Sequence, residues 1–199
     1  MDRQTQFHER EVIIFRVAEK ILLEDGEVGF TLDLLAAELD LAKGTLYKHF
    51  KSKNELYMLL LLAYEKSLLA QLLGQEDKKF SEKIEFFVLY HLNHSEKTVL
   101  YHLLEEKLAA NATGLQNLFA KLYQIRKQRL KIVLLSIDAH LTEESSKVSS
   151  RDYIALVWSL VYGACMLLNS SFYQRYLGSR ETLKRAYVKQ VLEIPKIHR

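Results

Sequence analysis

Apolar residues recur at helical spacing along most of the chain. Val12, Ile13, Val17, Ile21 and Leu22 predict a helix over residues 10–24. Asp25-Gly26-Glu27-Val28-Gly29 interrupts it, and two glycines in four residues read as a loop. Thr31 can then cap a short helix over Leu32–Leu39, and Asp40-Leu41-Ala42 is long enough only for a turn. A second short helix follows over about Lys43–Phe50. Ser52-Lys53-Asn54-Glu55 has the capping-box spacing, in which a serine and a glutamate satisfy free backbone N–H groups at a helix start. It predicts a helix from Lys53 to about Leu73, stopped by Gly74.

Longer amphipathic segments occupy the rest. Ser81 can cap a helix over Glu82–Asn93, and Ser95 another over Glu96–Asn111. A long helix is expected from Gly114 to about His140, with Leu118, Leu122, Ile125, Ile132 and Val133 on one side. Thr142–Ser150 is a polar connector, and Ser149 can cap an uncharged helix that continues to about Tyr176. A final helix is expected over Arg180–Leu192, with Pro195 beyond its end. The pattern is all-α. Short helices come first and long ones follow, which places a domain boundary inside the helix that begins at Lys53. The domains are accordingly 1–56 and 57–199.

The stretch Tyr153–Gln174 carries no charge over 22 residues and is long enough to span a bilayer. Ser159, Gly163, Asn169, Ser170, Ser171 and Gln174 dilute it, so a helix buried in a core or a subunit interface is the favoured reading, with no membrane partner. Composition adds exclusions. Glycine and proline total 8 of 199 residues, too few for a disordered tail or an all-β sandwich. One cysteine rules out an internal disulfide and suits a reducing, cytoplasmic setting. The first six residues show no apolar run, and no secretory signal is expected there.

Two short helices joined by a tight turn make a helix-turn-helix candidate. The residue types of the second helix strengthen it. Lys43, Gly44, Thr45, Tyr47, Lys48 and His49 crowd into seven positions, followed by Lys51 and Lys53. Lysines neutralise phosphates, while Thr, Tyr and His donate to phosphates or base edges. Gly44 lets another backbone approach, at a helix-propensity cost of about 1 kcal/mol. Leu46 and Phe50, four apart, are expected to face inward. The charge is local: residues 1–56 carry 8 basic and 11 acidic residues, whereas 41–54 carry four lysines and no acid. A solvated lysine face on an ordinary helical bundle fits this spacing as well.

Phe30-Thr31-Leu32-Asp33-Leu34-Leu35-Ala36-Ala37-Glu38-Leu39 and Leu41-Ala42-Lys43-Gly44-Thr45-Leu46-Tyr47-Lys48-His49-Phe50-Lys51-Ser52-Lys53 resemble the tetracycline-repressor (TetR) family. The resemblance covers about Arg10–Leu62, and the family's usual turn glycine is replaced by Asp40. It implies an all-helical homodimer with an N-terminal three-helix DNA-binding domain and a larger ligand-binding and dimerisation domain. The partners implied are a palindromic DNA operator and a small-molecule effector, with no cofactor and no enzymatic activity. On this likeness Thr31, Lys43, Gly44, Thr45, Tyr47, Lys48, His49 and Lys53 are the DNA-contacting residues. Dimerisation falls to the 153–176 and 180–192 helices, with Gly163 and Ala164 permitting close approach, against the alternative of a purely internal core.

The family likeness also places a small-molecule pocket among the helices from Phe80 to Met166. Aromatic and polar candidates there are Phe87, Tyr90, His91, Tyr101, His102, Glu105, Tyr123, Arg126, Trp158, Tyr162 and Met166, any of which also suits ordinary packing. An inward-facing Arg126 would suit an anionic head group. His91/His94 and His102/Glu105 are each three apart and raise the alternative of a helical metal-binding bundle or metalloenzyme. No Glu-x-x-His motif occurs, and no metal site is expected. Cys165 sits in an apolar stretch and is expected to be buried.

Overall fold

The computed structural model describes residues 3–75, 77–176 and 178–197. Ten helices and no strand are found among the described residues: α1 Arg3–Gly29, α2 Leu32–Glu38, α3 Lys43–Leu46, α4 Lys53–Leu73, α5 Phe80–Asn93, α6 Ser95–Asn111, α7 Gln116–Glu143, α8 Ser150–Leu168, α9 Ser171–Tyr176 and α10 Arg180–Ile197.

Two compact units are present, Met1–Tyr64 with His102–Leu122, and Glu65–Tyr101 with Tyr123–Arg199. Helices α4, α6 and α7 each give residues to both. In the first unit Ile14, Ala18, Ile21 and Leu22 of α1, Leu35 and Ala36 of α2, Leu46 of α3 and Leu56 of α4 are buried. The second unit's core is one cluster that includes Ile84, Val88 and Leu92 of α5, Val157, Val161 and Leu168 of α8, and Val191 of α10. The spacing of four within α5 and within the first half of the α8 set puts each stripe on one helix face. Each fully buried aliphatic side chain contributes about 1.5–3 kcal/mol relative to exposure.

Caps set several boundaries. Thr31 Oγ1 accepts from the Leu34 N–H at 3.1 Å, and Ser149 Oγ accepts from the Asp152 N–H at 3.1 Å. Ser52 Oγ accepts from the Glu55 N–H at 3.1 Å, while the Glu55 carboxylate accepts from Lys51 rather than from Ser52.

Other boundaries differ from those expected. Helix α1 begins at Arg3 rather than near residue 10; its first residues are exposed and carry no apolar stripe for periodicity to detect. The loop expected at 25–29 is reduced to a kink at Gly26, with φ 68°. Helix α3 is a single turn ending at Leu46 instead of reaching Phe50. Ser81 is not the cap of α5; the helix begins at Phe80, and the Glu82 carboxylate accepts from the Lys79 N–H at 2.9 Å. Ser95 lies within α6 and donates to Asn169 Oδ1 at 2.8 Å. Helix α7 is displaced a turn or less, to Gln116–Glu143. The uncharged segment breaks after Leu168, where Asn169 and Ser170 separate α8 from α9.

Pro195 lies inside α10, not beyond it. A proline lacks the N–H that would bond to the carbonyl four residues back, here Val191. That carbonyl accepts from the Tyr153 hydroxyl at 3.3 Å, and both residues are fully buried. The tyrosine supplies the missing donor, so the helix continues to Ile197. Tyr153→Phe should therefore cost about 1–3 kcal/mol in urea denaturation, the penalty for an unpaired buried carbonyl. In a Pro195→Ala background the restored N–H should reduce that cost to below about 1 kcal/mol. Equal costs in the two backgrounds would refute the compensation.

Candidate nucleic-acid interface

The turn between α2 and α3 is built on Asp40, whose φ is 50°. The Asp40 N–H bonds to Ala37 O at 3.1 Å, and the Leu41 N–H to Ala36 O at 2.9 Å. This nested pair is a Schellman ending, usually made by glycine, and aspartate tolerates its left-handed backbone. It turns the chain so that α3 starts at Lys43 on the far side of the corner. Leu46 is fully buried and Phe50 is 2% exposed, which locks the turn of helix onto the core. Lys43, Gly44, Tyr47 and Lys48 are left exposed, and Thr45 and His49 are half-buried.

The eight sequence-chosen residues divide by environment. The Lys43 ammonium pairs with Asp33 Oδ1 at 2.5 Å in an exposed bridge, and that hydrogen bond raises its pKa. Tyr47 is half exposed and Lys48 is exposed. The Thr31 hydroxyl accepts from α2 and keeps its own hydrogen to donate outward. The His49 ring stacks on Phe7 of α1, with centroids 4.0 Å apart and planes at 20°. Burial lowers the His49 pKa, opposed by Glu11 and reinforced by Arg10.

Lys53 is engaged within the fold. Its ammonium donates to Phe30 O at 2.6 Å and Glu27 O at 3.3 Å, and lies 5.3 Å and 5.6 Å from the Phe30 and Tyr57 ring centres. Desolvation lowers its pKa. A phosphate contact by this ammonium would have to compete with those carbonyls.

Gly44 has no internal explanation. Its φ is not in the left-handed region, and a Cβ added there would meet nothing within 4 Å. Neither backbone strain nor packing requires glycine.

Residues 14–58 match the family model of bacterial regulatory proteins, tetR family. The match takes in α2, α3 and parts of α1 and α4. Curated relatives of this chain include the nucleoid occlusion factors SlmA of Yersinia enterocolitica and Sodalis glossinidius. Each is 28% identical over 95 residues, which make up 47% of this chain and 48% of the relative. The chain thus spans about half the length of the curated relatives it matches. The fold extends the likeness. A tetR-family regulatory protein from Rhodococcus RHA1 superposes with a TM-score of 0.71 at 19% identity, covering 92% of this chain and 95% of that one. Reduced E. coli NemR gives 0.68 at 14% identity, covering 94% and 97%.

The second unit holds a buried polar and aromatic cluster. His91 is 2% exposed, with Phe87 at 4.7 Å, Trp158 at 5.3 Å and Tyr90 at 5.4 Å between ring centres. Tyr162 stacks on Trp158 at 6.2 Å. His91 Nδ1 lies 3.3 Å from Thr98 Oγ1, and the Cys165 thiol donates to His91 O at 3.5 Å. Burial pushes the Cys165 thiol up to about 12. Five of the pocket candidates, Phe87, Tyr90, His91, Trp158 and Tyr162, are thus brought together.

The other six are not part of these ring contacts. Tyr101 is buried with Lys97 over its ring, His102 and Glu105 belong to the first unit, and Tyr123 and Met166 are 56% and 50% exposed. Arg126 bonds through Nε to Glu65 Oε1 at 2.8 Å, and Arg129 Nη2 lies 3.3 Å from Glu65 Oε2. Glu65, with a side chain 4% exposed, was missed in the sequence, as was Arg129. The available signal was spacing: Glu65 shares a helix face with buried Leu61, Leu68 and Leu72, where an acid requires a cation. No group of three metal-ligating side chains occurs among the described residues.

Burial, aided by the Arg129 charge, lowers the His91 pKa to about 3. Unfolded histidine takes up a proton near 6.5. The stabilising contribution is therefore complete above that pH and is lost as pH falls towards 3. Thermal or urea stability should drop by about 2 kcal/mol from pH 6.5 to 5 through this residue alone. His91→Gln should flatten that segment of the profile; an unaltered profile would contradict a buried neutral imidazole.

Proposed function

We propose that this chain is a ligand-responsive transcription regulator that binds a near-palindromic DNA operator as a homodimer. It acts as a repressor and is released by a small-molecule effector; no enzymatic step is involved, and the setting is cytoplasmic. The observation that carries this reading is Gly44. It is an exposed glycine in open space within a tetR-family helix-turn-helix, flanked by exposed Lys43 and Lys48. Close approach of a sugar-phosphate backbone gives it a purpose that the fold does not. In this reading Gly44 and Thr45 meet the groove, while Lys43, Tyr47, Lys48 and the Thr31 hydroxyl hold phosphates. His49 supports them against α1, and Lys53 acts chiefly by holding the corner.

The dimer reading draws on the outward face of α8. Leu156, Trp158, Met166 and Leu167 are exposed there at 41%, 36%, 50% and 37%, without a charge among them. A Cβ at Gly163 would meet nothing within 4 Å, so a second helix has room to close on it. Helices α4 and α8 are both long and apolar enough to cross a membrane; α4 buries 56% of its apolar window inside the fold and α8 only 33%. A subunit partner accounts for the bare face of α8. Regulation would run through α4, which carries both Lys53 and the clamped Glu65. An effector entering the Phe87–His91–Trp158 cluster would shift the long helices and tilt α4. The two recognition segments would then lose the half-site spacing of roughly 34–36 Å that one turn of DNA demands.

Genomic fragments recovered by pull-down of the bound protein supply the duplex for the test. Gly44→Ala should raise stability by up to about 1 kcal/mol while weakening binding by roughly tenfold or more. Lys48→Ala should weaken binding to every duplex and reduce the salt exponent by about 1. Both variants binding like the parent would defeat the reading.

A further inference from the structure

Residues Arg3–Arg10 extend α1 for two turns over which every side chain is exposed. No core stripe demands this extension. One contact fixes where it lies: Phe7 on the His49 ring, 4.0 Å between centres at 20°. Arg3 precedes Phe7 by four residues and Arg10 follows it by three, so the three form one stripe on α1. That stripe is the one turned to the residue next to Lys48. The positive charge of Arg10 registers at His49, where it lowers the imidazole pKa. Glu11 shares this side, but its side chain is only 26% exposed and lies 3.7 Å from His8. Glu9, two residues from Phe7, falls on the opposite side of the helix.

We infer that the first turns of α1 form part of the nucleic-acid surface, with Arg3 and Arg10 contacting the sugar-phosphate backbone beside the stretch faced by α3. The ring stack is the positioning device: it ties an otherwise unsupported helix end to the recognition segment. Guanidinium groups bind phosphate in a bidentate fashion, and a phosphate contact carries no sequence information, so this contact adds affinity and salt dependence and leaves sequence choice to α3. The inference rests on the reading of the Lys43–Lys48 segment as a DNA-binding element.

The test titrates salt against full-length protein and a recovered duplex. Arg3→Ala/Arg10→Ala should weaken binding at least tenfold and lower the salt exponent by about 2. Arg16→Ala/Lys20→Ala removes the same charge from the opposite face of α1 and should leave the exponent unchanged. Lys48→Ala checks the underlying reading by lowering the exponent by about 1. Equal effects of the two α1 double variants would show a net-charge effect and overturn the inference. An unchanged exponent in Arg3→Ala/Arg10→Ala, with Lys48→Ala still effective, would overturn the inference and leave the underlying reading standing. No effect from Lys48→Ala and none from the arginines would bring down both.

Discussion

The helix-turn-helix is referred to one ammonium group. Lys53 opens α4 and donates to the carbonyls of Glu27 and Phe30, on either side of the end of α1. Phe30 immediately precedes Thr31, the cap of α2. One side chain therefore fixes the exit of α1, the entry of α2 and the start of α4. Carbonyls at a helix end have no intrahelical partner, and a cation is a strong one to offer them. The Phe30 and Tyr57 rings beside it exclude water and strengthen the bond. On the same segment the Glu27 carboxylate pairs with Lys107 of α6 at 2.5 Å, so the chain end is held from two sides. What α3 presents outward is set by where these contacts hold the corner.

Much of that corner could be read from residues alone. Thr31 as a cap and the inward Leu46 and Phe50 are local matters, decided within a few positions. Other features depend on a partner far away in the chain. Pro195 looks like a terminator until Tyr153, 42 positions earlier, is known to bond to Val191. Lys53 donates to the carbonyls of Glu27 and Phe30, 26 and 23 positions earlier, which no local pattern announces. The start of α1 escaped for the opposite reason: it has no buried face, so no periodicity marks it.

The second unit shows how few polar groups its interior admits and how each is answered. Glu65 faces two guanidinium groups. His91 is held neutral beside Thr98, with rings on several sides. A buried charge without such answers costs several kcal/mol, so these groups restrict which packings of α4, α5, α7 and α8 are permitted.

The lone cysteine has a practical consequence. Cys165 is buried, and its thiol is pushed up to about 12, so almost none of it is the reactive thiolate at neutral pH. The wild-type chain is in effect already a cysteine-free background. A single cysteine placed on the exposed surface of α3 or α8 could carry a spin label or fluorophore without first removing the native one. The environment and motion of that label could then be followed directly in solution.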